Sequence, residues 1–420
     1  MPGKASLAHS IGALYAVQIA NYLVPLLTLP WLTRVLGPAN FGRLGFCVAI
    51  VNYGVLLADY GFNLSATRAI ATHAGDPAER SRIFWNTLTV KALLAAGVLP
   101  LLLGLSAVVP QLQELRPLLL INYLTVVGTV LTPTWFFLGT EQQSTLSRIT
   151  ITARMLAVPL TFLLVRTPAD LPFAAAIYSG TPVIIGLACL VTLARSRMLQ
   201  PAAVTGPELA GAFKDGWPLF LSTASMSLYT STNTALLGFV AGASAVGYYS
   251  AAERVTGAAQ GLLGPINQTM YPRISRLMQE SRVEAYAIIR RSMRYVGALS
   301  MLLSVSLWVL APYVVGILYG SSYQPAVSVL RWLAPLPFVV GLSNVFGIQT
   351  MLPLGMKTTF SRIVLLAGPL NIALLLTLAS AFGAQGAAAS VLTTELLVTL
   401  AMAVSLWRLD VPIFRNPLLA

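Results

Sequence analysis

Twelve apolar runs of about 20 residues, joined by short connections, leave this chain few ways to fold. The runs fall at 11–31, 42–64, 86–109, 117–139, 146–165, 173–194, 216–241, 246–271, 294–318, 328–352, 360–380 and 386–407. An apolar run of ~20 residues has the length of a membrane-crossing helix. In lipid every backbone N–H and C=O must be satisfied inside the segment, which selects helices. Composition agrees: 56% of residues are hydrophobic and 9% charged, where a soluble domain carries roughly a quarter charged. The expected class is an all-α polytopic membrane protein with twelve transmembrane helices.

The net charge of +13 would suggest nucleic acid in a soluble chain. No basic run here is interleaved with aromatics, so nucleic-acid binding is set aside. With the N-terminus placed in the cytoplasm, most of the 26 lysines and arginines fall in cytoplasmic loops. Arg34, Arg43, Arg116, Arg166 and Arg331 fall outside. That asymmetry predicts both termini in the cytoplasm. The longest connections, 65–85, 195–215 and 272–293, are also the most charged, and none has room for an extramembrane domain. A membrane glycosyltransferase or polymerase, which needs a loop to hold a second substrate, is disfavoured.

Enzyme chemistry has no visible seat. There is no HExxH, CxxC, GxSxG or Walker motif, so no metal, nucleophile or nucleotide cofactor is expected. Cys47 and Cys189 lie in apolar runs and read as small buried hydrophobes. His9 and His73 are isolated. The first run holds Gln18 and Asn21 and continues to Trp31 without a small-residue cleavage site, unlike a cleaved signal peptide.

The chain also matches itself. Shifting by 205 residues lays Leu36-Gly37-Pro38-Ala39-Asn40-Phe41-Gly42 on Ala241-Gly242-Ala243-Ser244-Ala245-Val246-Gly247, and Arg68 on Arg273. Two six-helix lobes, 1–205 and 206–420, follow. Six spans per lobe gives both the same orientation, a parallel pseudo-two-fold repeat about the membrane normal.

Polar residues recur at helical spacing in corresponding runs. In the second run Gly45, Asn52, Asp59 and Asn63 share one helical face, and in the eighth Glu253, Gln260 and Asn267 do. Arg254, Gly261 and Gln268 form the adjacent line. The first run offers Asn21 and the seventh Tyr229. Such stripes either line a central cavity or hold helices together through interhelical hydrogen bonds. A charge at a span centre costs roughly 2.5–3.5 kcal/mol on insertion scales, so each intramembrane charge needs water or a partner. Asp59, Lys91, Arg154, Glu253, Arg254 and Glu395 are such charges. Asp59 can pair with Lys91, or Asp59 and Glu253 can couple transport to a proton or sodium gradient. Arg254, Lys91 and Arg34 are the candidate cations for an anionic substrate, although Arg34 lies at a span end and also suits simple interfacial anchoring. The GxxxG pairs Gly238–Gly242 and Gly257–Gly261 read as close helix packing.

Two segments carry a family likeness: Leu29-Pro30-Trp31-Leu32-Thr33-Arg34-Val35-Leu36-Gly37-Pro38-Ala39-Asn40-Phe41-Gly42, and Asp59-Tyr60-Gly61-Phe62-Asn63-Leu64-Ser65-Ala66-Thr67-Arg68. The chain resembles the bacterial O-antigen flippases, the lipid-linked-oligosaccharide translocases of the polysaccharide transporter group. The resemblance is strongest over the first 90 or so residues. It implies a two-lobed fold in the inner membrane and a polyprenyl-diphosphate-linked oligosaccharide as substrate. Membrane lipids, with a polysaccharide polymerase and ligase, would be the partners. An ion-coupled multidrug or small-solute antiporter of the related toxic-compound extrusion class is the alternative. It calls for an acid-dominated, largely hydrophobic cavity.

Overall fold

The structure is a computed structural model. It describes residues 4–196 and 198–413, and for residues 4–26, 215, 218–219, 222–223, 225–231, 265 and 268 it describes the backbone only. Among the described residues the secondary structure is entirely helical. Nine helical segments among the described residues are long and apolar enough to cross a membrane, so the chain is a multi-pass membrane protein.

It gathers into two compact units, one comprising Pro30–Ala235 and the other Leu236–Ala420 with the N-terminal residues through Leu29. The N-terminal helix α1 runs Lys4–Asp59. It is followed by α2 Phe62–Thr72, α3 Pro77–Val108, α4 Pro110–Gln113, α5 Arg116–Asn122 and α6 Leu124–Leu131. Next come α7 Thr134–Gly139, α8 Gln143–Leu164 and α9 Leu171–Arg195. Helix α10 spans Gly206–Gly261, α11 Gly264–Glu280, α12 Arg282–Tyr319, α13 Ala326–Leu333 and α14 Leu336–Phe346. A π-helical turn, Gly347–Met351, leads to α15, Lys357–Arg408.

Three of these helices are too long to be single spans. A straight 56-residue helix would run about 84 Å, against ~30 Å of hydrocarbon. Each is broken by a glycine with positive φ: Gly37 in α1 (φ 71°), Gly242 in α10 (φ 80°) and Gly383 in α15 (φ 56°). Only glycine adopts this conformation without a Cβ penalty. In the first unit the turn after Gly37 is tied down by side chains. Trp31 Nε1 donates to the Val165 carbonyl at 2.7 Å and Asn40 Nδ2 to the Pro168 carbonyl at 3.1 Å.

Two of the helices start at side-chain caps. Asp76 caps α3 by accepting from the N–H groups of Ala78 and Glu79, with Pro77 at the first helical position, which satisfies donors the helix leaves orphaned. Ser281 caps α12 through the Glu284 N–H. The core of the Pro30–Ala235 unit is aromatic: Phe62, Phe84, Trp135, Phe136 and Phe137 are all essentially inaccessible. Helices α6 and α9 approach so closely that a Cβ on Gly128 would lie 2.5 Å from Pro182, and one on Gly186 2.5 Å from Leu131. The GxxxG expectation fares differently. A Cβ on Gly257 would meet nothing within 4 Å, and Gly242 serves as a turn rather than a packing surface.

The expectation of unbroken polar faces also needs correcting. Helix α1 stops at Asp59, and Tyr60 (φ 45°) and Gly61 (φ 76°) turn the chain before α2 starts. Likewise α10 ends at Gly261, ahead of Asn267. The four-residue spacing of Asp59 and Asn63 and the seven-residue spacing of Gln260 and Asn267 therefore do not place these pairs along one straight helix. Tyr60 holds its unusual backbone inside an aromatic stack, with Phe213 at 4.3 Å and Phe220 at 4.8 Å.

Candidate functional site

Asp59 closes α1, and its carboxylate meets side chains from the two helices that follow. Lys91, from α3, is 1% exposed and donates from Nζ to Asp59 Oδ1 at 2.9 Å. Asn63, the second residue of α2, donates from Nδ2 to Asp59 Oδ2 at 2.6 Å. Both carboxylate oxygens are thus engaged, and the pairing of Asp59 with Lys91 expected from sequence is present. Thr67 extends the group: its hydroxyl donates to the Asn63 carbonyl at 2.6 Å and lies 3.3 Å from the Trp135 carbonyl. The pair is intramembrane by position, so its Coulombic attraction works against a large desolvation cost. Lys91 is therefore committed to Asp59 in this structure, rather than presented to a substrate.

The other unit holds a neutral counterpart. Gln349, on the π-helical turn and 0% exposed, donates from Nε2 to Asn267 Oδ1 at 3.0 Å. It accepts from the Ser292 hydroxyl at 2.7 Å. Sequence reasoning found Asn267 and missed Gln349 and Ser292. Gln349 is an isolated polar residue in an apolar run, and Ser292 lies in the charged 272–293 connection, where one more polar residue carries no signal.

Arg254 lies twelve residues after the Gly242 turn and is exposed, while Glu253 beside it is half-buried. Arg254 is close enough to Glu253 and Tyr319 to interact with both electrostatically. Tyr319 is buried and donates to the Ala251 carbonyl at 2.9 Å. Its ring lies 5.4 Å from that of Tyr323, which meets Tyr248 edge-on at 5.9 Å. Arg34 and Asn52 are exposed, and Gln260 is half-buried. The side chains of Asn21, Tyr229 and Gln268 lie outside the described residues. Among the described residues no group of His, Cys, Asp and Glu is arranged to hold a metal.

Comparison with known proteins decides the family. A family model described as polysaccharide biosynthesis protein matches residues 7–278. The chain belongs to the polysaccharide biosynthesis protein family. Relatives extend the match. A protein of Escherichia coli (strain K12) named "Putative O-antigen transporter" is 36% identical over 396 residues, 94% of this chain and 95% of that one. A protein of Shigella dysenteriae with the same name is 33% identical, covering 93% of this chain and 97% of that one. This family member is a transporter and not an enzyme. Its fold is that of the MOP-superfamily transporters. The inward closed lipid II flippase MurJ superposes with a TM-score of 0.74 at 11% identity, covering 94% of this chain and 87% of that one. An inward-facing multidrug resistance MATE transporter gives 0.72 at 14% identity, covering 94% of both chains.

Proposed function

We propose that this chain is a flippase for a polyprenyl-diphosphate-linked oligosaccharide, an O-antigen repeat unit or a related one, in the bacterial inner membrane. The observation that carries the reading is 36% identity over nearly the whole length of a relative named for O-antigen transport. The chemistry is compatible. Moving a head group needs hydrogen-bonding side chains and a cation for the diphosphate, and it needs no covalent catalysis. Arg254 is the cation best suited to the role. It is exposed on its unit and stands beside the Tyr319–Tyr323 pair, whereas Lys91 is held by Asp59.

Twelve spans in two six-helix lobes, 1–205 and 206–420, form part of the proposal. Three of the nine membrane-length segments bend at a left-handed glycine, and dividing each gives twelve. The repeat is supported by spacing: Gly37 and Gly242 are 205 residues apart, as are the first residues of α3 and α12, Pro77 and Arg282. Alternating access by rocking one lobe against the other would follow from such a repeat. Both termini would be cytoplasmic, so cysteines placed at the exposed positions 76 and 284 should react with an impermeant reagent from the cytoplasm and one at 322 from outside. Opposite reactivity at 76 and 284 would refute the topology.

Coupling to a proton or sodium gradient through Asp59 or Glu253, and a working association with polymerase and ligase, complete the proposal. Reconstitution tests its centre. Liposomes containing the protein and a lipid-linked oligosaccharide are expected to expose the sugar to an added glycosidase faster than protein-free liposomes, with a rate that responds to an imposed ion gradient. Unchanged sugar exposure, together with gradient-driven uptake of a cationic dye, would favour the multidrug antiporter instead.

A further inference from the structure

The turn from α11 into α12 carries six arginines, Arg273, Arg276, Arg282, Arg290, Arg291 and Arg294, against two acids, Glu280 and Glu284. The α2–α3 turn, about 205 residues earlier, is built differently. There Arg82 is held at 2.8 Å by both Glu79 and Glu208. In the α11–α12 elbow the ion pair among the described residues is Arg276 with Glu280, at 3.6 Å and largely exposed. Arg290 donates to the Pro412 carbonyl at 2.7 Å. Arg273, Arg282, Arg291 and Arg294 are exposed. The excess positive charge is therefore presented outward.

Its depth can be read from α12 itself. The helix has 38 residues, roughly 57 Å at 1.5 Å each, nearly twice the hydrocarbon thickness. Two tyrosines on it stand well out of the protein, Tyr295 at 71% exposure and Tyr313 at 68%. They are 18 residues apart, roughly 27 Å along the helix, the spacing of the aromatic belts at the two membrane interfaces. The surface between them is hydrocarbon, with Leu302, Val305, Val309 and Leu310 all exposed. Arg294 adjoins Tyr295 on its non-hydrocarbon side and Arg291 lies one turn further out, level with lipid phosphates. Val283 (76% exposed) and Tyr271 (39%) stand among the arginines. Apolar side chains mixed with cations suit the boundary between head groups and acyl chains.

We infer that the α11–α12 elbow is a docking surface for the anionic phospholipid head groups of the leaflet it faces. A cationic segment at the membrane surface is attracted to anionic lipid within a Debye length, and each Lys or Arg adds to the attraction. The neutralised α2–α3 turn would gain little. Anionic lipid would thus stabilise one end of one unit selectively.

The test uses the full-length protein in nanodiscs of phosphatidylcholine with increasing phosphatidylglycerol. The thermal unfolding midpoint should rise with phosphatidylglycerol, and the rise should shrink with added salt. The Arg291→Gln/Arg294→Gln variant should match wild type in pure phosphatidylcholine and lose most of that rise, while Arg82→Gln/Glu208→Gln keeps it. Should the glutamine pair fail to fold, Arg291→Lys/Arg294→Lys provides the reading, since retained charge should retain the rise. A wild-type response insensitive to salt, or a glutamine pair with the full response, overturns the inference. So does a lysine pair without the response. A midpoint raised by polyprenyl diphosphate in phosphatidylcholine, with no effect of phosphatidylglycerol, would also overturn it and assign the elbow to a substrate head group.

Discussion

Asp59→Asn is expected to reduce the amount of folded transporter in the membrane more than Lys91→Met does, although each removes one partner of the same ion pair. The asymmetry follows from burial. Lys91 is 1% exposed and Asp59 20%. Without Asp59, an ammonium group is left in the core with its counter-charge gone. Breaking a buried pair in this way costs about 3–5 kcal/mol. Without Lys91, the carboxylate keeps the Asn63 amide at 2.6 Å and some access to solvent. The double variant Asp59→Asn/Lys91→Met should recover most of the loss, because it removes both charges. Membrane abundance and detergent-solubilised unfolding midpoints for the four proteins would decide the matter. A Lys91→Met loss larger than that of Asp59→Asn, or a double variant worse than either single one, would reject this account. If the double variant is abundant but moves no substrate, the pair serves transport as well as folding.

Arg254→Ala is expected to abolish surface polysaccharide while leaving protein abundance near normal. Arg254 is twelve residues beyond the left-handed Gly242, roughly 18 Å along the helix and well inside ~30 Å of hydrocarbon. A guanidinium at that depth is costly against lipid, yet this one is exposed on its own unit. Under the proposed function the cost is offset by polar surroundings in which the diphosphate is bound. Arg254→Lys should retain part of the transport, since the charge remains while the planar fork that grips phosphate bidentately is lost. Surface polysaccharide and immunoblots from the same cells separate the outcomes. Full display with Arg254→Ala would exclude an essential substrate role. Low abundance rescued by altering Glu253 would make Arg254 a structural partner.

The sequence was informative where chemistry repeats. Apolar run length predicts the helices, and Gly37 and Gly242, matched by the 205-residue shift, are the points at which long helices turn. Asp59 and Lys91 could be paired in advance because intramembrane charges are rare enough to seek one another. The break at Tyr60–Gly61 could not, since a tyrosine with positive φ is held by its stack on Phe213 and Phe220, about 150 residues away. The Asn267–Gln349–Ser292 network joins three elements through two bonds that span 57 and 82 residues. No local pattern specifies such a meeting.

The π-helical turn that carries Gln349 has a genetic consequence. A π-bulge amounts to one extra residue in an α-helix, and the backbone shows it where the Leu352 N–H bonds back five residues to the Gly347 carbonyl at 3.1 Å. Deleting one residue within Gly347–Met351 would restore ordinary helical winding. It would leave the loop at 352–356 to absorb the change in register before α15 begins. The backbone could tolerate that deletion, but a residue at Gln349's place would swing about 100° around the axis and leave Asn267 and Ser292 behind. Here a codon can be lost without loss of the helix, and the cost falls on a single buried hydrogen-bond network.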